Sequence, residues 1–217
     1  MKGVKQPLLI DGGVYDNQGV HNLMERGNRY LFTKYCIVSN AGVTSLSDFK
    51  HLRNILQMMA AMSEVLMKRI RDMMSRQLKI ETDDRDNRGV YVDLLSDPSD
   101  TLVETFVKDL ACGLVPEVTW RIHGIAEDDV RALRDYFRAY FKLEPVVSKR
   151  VTERVKNNIS WNTLEHMRPT QEEIKVARGV GSNLTGLSKK KIYCLEKFAE
   201  WMTFVQVRLY LPNLTEK

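Results

Sequence analysis

Leu8-Leu9-Ile10-Asp11-Gly12-Gly13-Val14-Tyr15-Asp16-Asn17-Gln18-Gly19-Val20 is the stretch on which the reading of this chain turns. Three apolar residues run without interruption into an acid and two glycines, the pattern of a short buried strand ending in a tight turn. A carboxylate at that point sits at the carboxyl end of a strand, the edge where open α/β sheets place their active sites. Gly12 and Gly13 remove side-chain bulk and admit positive φ, so backbone and a partner group can approach Asp11 closely. A lone Asp-Gly-Gly is an ordinary turn; the longer string around it is the informative part.

Residues 18–26 fit a short helix that Gly27-Asn28 stops. Tyr35-Cys36-Ile37-Val38-Ser39 is a second apolar run, closed by Asn40-Ala41-Gly42. Two such strands joined through a helix describe a parallel unit, and continuous apolar runs predict strands covered on both faces. Asp48 can cap a helix over 49–78, in which Leu52, Ile55, Met59, Met62, Leu66, Ile70 and Met73 recur three or four apart. Six of the ten methionines lie there. The plain reading is adaptable core packing, and the functional one is a soft apolar wall beside an acyl chain or bilayer. Beyond it the pattern predicts a strand over 90–95, a helix opened by Pro98-Ser99-Asp100 and running to Leu110, and a strand over 117–123. It then predicts a helix over 126–143 that Pro145 breaks, and a last helix over 188–211 that Pro212 ends. Glu127-Asp128-Asp129 suits the positive end of the helix dipole.

Composition narrows the class. The chain has 217 residues, 43% hydrophobic and 28% charged, enough for one ordinary domain with a sizeable core. Its 33 basic against 28 acidic residues leave a net charge of +5, a modest and dispersed excess. Lys189-Lys190-Lys191 and Lys149-Arg150 read as solvated faces first, contacts for anionic lipid second and nucleic-acid contacts last. No window reaches about 18 uninterrupted apolar residues, so no transmembrane helix is expected. Cys36, Cys112 and Cys194 stand far apart among apolar neighbours and read as small buried hydrophobes in a reducing compartment. His21, His51, His123 and His166 lack ligand spacing. Asp84, Asp86 and Gly89 begin like a calcium loop, but Arg88 and Leu95 stand where ligands are needed. Neither metal nor cofactor is expected.

The string from Leu9 to Val20 resembles the aspartate motif of patatin-like phospholipases, and other stretches follow it. Ile37-Val38-Ser39-Asn40-Ala41-Gly42 is similar to the next strand and loop of bacterial members. The Met-rich segment with Lys68-Arg69-Ile70-Arg71 has a counterpart there, and Val180 to Ser188 resembles the link into their last helix. The resemblance implies a serine–aspartate dyad that hydrolyses lipid acyl esters. Asp11 would be the general base and Gly12 and Gly13 would shape its turn; Asn17 would fix the loop, or serve, as turn asparagines more often do, as an ordinary turn residue.

The departures are as informative. No serine here has glycine two residues before and after it, the Gly-x-Ser-x-Gly nucleophile setting; Ser182 comes nearest and fails the spacing. The glycine-rich oxyanion loop is also missing. Asn40 stands where close bacterial relatives have aspartate, which argues against a polar role there. The expectation is therefore an α/β fold: an incomplete patatin-like parallel sheet flanked by helices, with a helix-rich C-terminal extension. Residues 1–48 would be the end of the catalytic domain, and 49–217 the helix-rich region. The chain is expected to be inactive alone, to need an N-terminal half in cis or in trans, and to act on a lipid ester. It is placed in the cytoplasm or peripherally at a membrane, with no nucleic-acid partner. The rival reading is a non-catalytic remnant or interaction module on the same scaffold.

Overall fold

The computed structural model describes residues 35–40, 88–180 and 186–215, together with seven single helical positions between 55 and 73. Among the described residues the architecture is mainly helical, with one two-stranded parallel sheet. Strand β1, Tyr35–Asn40, pairs with β2, Arg88–Asp93, in a register running from Tyr35↔Arg88 to Asn40↔Asp93. The sequence places a parallel unit at 8–10 and 35–39; the run at 35–39 does form a parallel strand, but the partner described is the strand expected at 90–95, not the run at 8–10. Coverage on both faces was also expected of β1 and is not observed: Val38 is 5% exposed, but Ile37, on the opposite face, is 51% exposed. The strand at 8–10 and the helix at 18–26 lie outside the described residues.

Among the described residues seven helices follow. Helix α1, Thr101–Ala111, buries Leu102, Val103, Phe106, Val107 and Leu110, an apolar stripe of helical period. It ends where Gly113 takes a φ of +77°, a left-handed turn that glycine adopts without steric cost. Helix α2, Glu117–Ile122, occupies the stretch whose alternation predicts a strand. The physical reason is local. Among the described residues no strand lies beside the seven residues between Pro116 and Gly124 to satisfy their backbone, whereas a helical turn satisfies it internally. That turn also brings Arg121 2.5 Å from Glu117 and buries Thr119 with Trp120. Helix α3, Glu127–Tyr140, carries its three acids in the first turn as expected and ends three residues earlier than predicted, at a left-handed Phe141.

Pro145 does more than break a helix. It is the first residue of α4, Pro145–Asn158, where its missing N–H is no loss, and the Glu144 carboxylate accepts from Val147 N. Then come α5, Trp161–Met167, and α6, Gln171–Arg178, opened by a reciprocal capping box of Thr170 and Glu173. Helix α7, Lys189–Tyr210, starts from a Ser188 side chain that accepts from Lys191 N; Pro212 opens a 3-10 turn through Leu214.

The core lies between α1, α3, α4, α5, α6 and α7, with Phe106, Leu133, Val155, Leu164, Phe198, Trp201 and Met202 almost wholly excluded from solvent. Val92 and Leu94 belong to the same cluster, so one face of β2 is part of the helical core. Among the described residues no helix is long and apolar enough to cross a membrane. Ile55, Met62, Val65, Leu66 and Met73 are helical as predicted, but each is exposed; core packing does not account for them.

Candidate functional site

The carboxyl ends of β1 and β2 come together at Asn40 and Asp93, directly paired in the register. Asn40 Nδ2 donates to Asp93 Oδ1 over 3.2 Å, and the same oxygen accepts from Leu95 N at 3.0 Å. Leu94 N donates to Asn40 O at 3.1 Å, and Ser96 N to Asp93 O at 3.1 Å, closing the turn that leaves β2. The reading that argued against a polar role for Asn40 is corrected here. The amide is buried and acts as a donor to a neighbouring carboxylate, which a second aspartate at position 40 could not do while both were ionised.

Arg178, the last residue of α6, completes this edge. Its Nε donates to Leu94 O at 3.1 Å, and its Nη2 to Leu95 O at 3.3 Å and Ser96 O at 2.8 Å. Three carbonyls converging on one planar fork suit guanidinium chemistry, which an ammonium cannot reproduce. The turn is thus fixed from both sides, with Asp93 accepting from its N–H groups and Arg178 donating to its C=O groups. Nothing in this arrangement is a nucleophile. What it does chemically is position: it fixes the strand ends in the plane where a parallel α/β sheet presents catalytic groups.

Asp11, Gly12, Gly13 and Asn17, the residues the sequence singles out, lie outside the described residues, as do His21, His51, Asp84 and Asp86. Among the described residues no three His, Cys, Asp or Glu side chains converge as a metal site. His166 is exposed, with Nδ1 2.6 Å from Asn162 O. His123 is a satisfied core histidine, its ring nitrogens each 2.8 Å from Asn158 Oδ1 and Leu209 O. Cys194 is buried as expected; Cys112 is exposed, because it caps the end of α1 instead of facing the core. An open cleft of about 320 Å³ between α2 and α3 is lined by charges that neutralise one another, including Arg131 with Glu127 at 3.3 Å.

Tyr210 is the most perturbed titratable group described. Its hydroxyl donates to Asp109 Oδ2 over 2.6 Å at the edge of the core. Burial, reinforced by the Asp109 charge and hydrogen bond, holds its proton well beyond the ordinary tyrosine range. The pair joins α1 to α7 and is structural, since Phe106 closes over Tyr210 edge-on at 5.2 Å. Sequence reasoning missed Asp93 and Arg178. A faint signal for Asp93 exists, because it is the first polar residue after the apolar run Val90-Tyr91-Val92. Arg178 gives none, for its partners lie more than 80 residues away.

Compared with family models, with curated proteins and with solved structures, the chain has no match.

Proposed function

We propose that this chain is the base-bearing part of a serine–aspartate lipid acyl hydrolase of the patatin-like kind, with Asp11 as general base. The observation that carries the reading is the string Leu9-Ile10-Asp11-Gly12-Gly13-Val14-Tyr15-Asp16-Asn17. The parallel pairing of the strand that follows it supports the same reading, since a parallel sheet needs crossover connections and offers its loops on one edge. In this mechanism Asp11 accepts the proton of a serine hydroxyl as it attacks the ester carbonyl. It then activates water against the acyl-enzyme. The serine and the oxyanion donors are not among these 217 residues, so turnover requires further polypeptide to supply them, in cis or in trans. The substrate class is a lipid ester met at a membrane surface, and no cofactor or metal takes part.

The test pairs this chain with a segment carrying a Gly-x-Ser-x-Gly serine and follows hydrolysis of a nitrophenyl ester. The chain alone should be silent and the combination active. Asp11→Asn, which keeps the shape but removes the base, should lower the rate at least about 100-fold. Activity within a few-fold of the parent after that change would remove Asp11 from the role. Turnover by the isolated chain that an organophosphate abolishes would expose a serine in an unsuspected setting.

A further inference from the structure

The corner between α3 and α4 breaks two rules at one residue. Phe141 takes a φ of 54°, a left-handed conformation that costs a side-chain-bearing residue energy and is normally left to glycine or asparagine. Its ring is 82% exposed, so the strain is not repaid by burial. Tyr140 beside it is 62% exposed, and Val146 across the corner is 68% exposed. Behind this apolar tip, a groove of about 480 Å³ runs between Cys112 at the end of α1 and the faces of Phe137 and Phe141, with Arg134 and Arg138 on its rim.

The charges around the tip are one-sided. From Tyr136 to Arg150 the chain has four basic residues, Arg138, Lys142, Lys149 and Arg150, and a single acid, Glu144. Glu144 is engaged with the amide of Val147. Of the nearby acids, Asp129 is taken by Arg150 and Asp135 lies 4.0 Å from Arg138. Lys142 and Lys149 are exposed and have no acidic partner among the described residues.

We infer that this corner docks on an anionic lipid bilayer, with Tyr140, Phe141 and Val146 entering the interface and Arg138, Lys142 and Lys149 lying among lipid phosphates. Aromatic side chains are at home at the headgroup level, and each basic residue close to an anionic leaflet adds to the attraction. A second copy of the chain is a poor occupant, because a two-fold contact through the tip would set the same cations against one another. The inference stands on the surface alone and does not depend on the proposed hydrolase activity.

Flotation of the full chain with vesicles tests it, since aggregates sink and bound protein rises. The chain should float with phosphatidylcholine vesicles containing phosphatidylglycerol and stay behind with phosphatidylcholine alone. Lys142→Glu with Lys149→Glu should weaken binding at least about tenfold, while Lys175→Glu, on exposed α6 surface, should change little. Phe141→Gly is the decisive variant. It relieves the backbone, so it should raise the melting temperature while lowering vesicle binding, whereas a merely structural Phe141 would lower the first. A Phe141→Trp chain should be quenched by brominated lipid, with the native Trp120, Trp161 and Trp201, all buried, serving as internal controls. Failure to float with anionic vesicles, equal binding to both vesicle types, or a dimer that Phe141→Gly dissolves would each overturn the inference.

Discussion

Replacing Asn40 by aspartate would turn the hydrogen bond at the sheet edge into a contact between two carboxylates. At 3.2 Å, two unit charges repel by about 5 kcal/mol at an effective dielectric near 20. The pair has a cheaper escape at neutral pH, namely to hold one proton between them. Keeping that proton at pH 7 against an ordinary aspartate value near 3.9 costs about 4 kcal/mol, which caps the penalty. Relaxation of the side chains lowers it further, so Asn40→Asp should destabilise by about 2–4 kcal/mol at neutral pH. The sign with pH follows from linkage. The folded pair holds its proton more tightly than the unfolded chain does. The penalty is therefore full above the raised folded value and fades as pH falls toward about 4. Asn40→Ala is the control: it only deletes the donor, costs about 1–3 kcal/mol, and has no such pH dependence. Urea denaturation of the three chains at stepped pH reads the midpoint differences directly. An Asn40→Asp midpoint equal to the parent at pH 7, or a deficit that persists unchanged at pH 4, would refute the pairing of Asn40 with Asp93.

Tyr210→Phe removes the hydroxyl from which Asp109 accepts at the edge of the core and should cost about 1–3 kcal/mol at pH 7. Because the folded chain keeps the Tyr210 proton beyond the unfolded value near 10, parental stability should fall as pH rises past about 10, and the variant should lose that tyrosine-linked part of the slope. The two edge-to-face tryptophans, Trp161 and Trp201, should respond differently to phenylalanine. Trp201 Nε1 donates to Leu164 O at 2.6 Å, while Trp161 Nε1 is buried without a hydrogen-bond partner, so Trp201→Phe should cost about 1–3 kcal/mol more than Trp161→Phe in thermal melts. Equal costs would mean that the indole hydrogen bond adds nothing beyond ring packing.

Legibility in the sequence followed the strength of local signals. Helices α1, α3 and α7 were readable because a helical apolar stripe coincided with punctuation: Pro98-Ser99-Asp100, an acidic first turn, and Pro212. Strands β1 and β2 were readable as apolar runs, but which runs pair is a non-local fact. The stretch 117–123 misled because two-residue alternation is only a preference, and a segment with no strand beside it cannot realise it. Helices α4, α5 and α6 went unread although part of their punctuation was present. Thr170-Gln171-Glu172-Glu173 spells a capping box, and Glu144-Pro145 is a helix start as much as a helix stop. Of the candidate site, the sequence singled out Asp11, whereas the structure describes the edge around Asn40. The clamp from Arg178 was invisible because a terminal basic residue on a helix says nothing about which carbonyls it reaches.

That clamp also sets a clock. Arg178 closes on Ser96 from 82 residues downstream, and Asn213 donates to the Tyr35 hydroxyl from 178 residues downstream. A ribosome adding about 5–20 residues per second takes about 4–16 s to cover the first distance and about 9–36 s for the second. Throughout that interval the nascent β2 turn carries carbonyls that its own neighbourhood does not satisfy, and Val92 and Leu94 wait for helix α7 to cover them. Slowing translation between codons 97 and 178 should therefore expose this chain to chaperones, or to its own kind, for longer than an equal delay placed before codon 88.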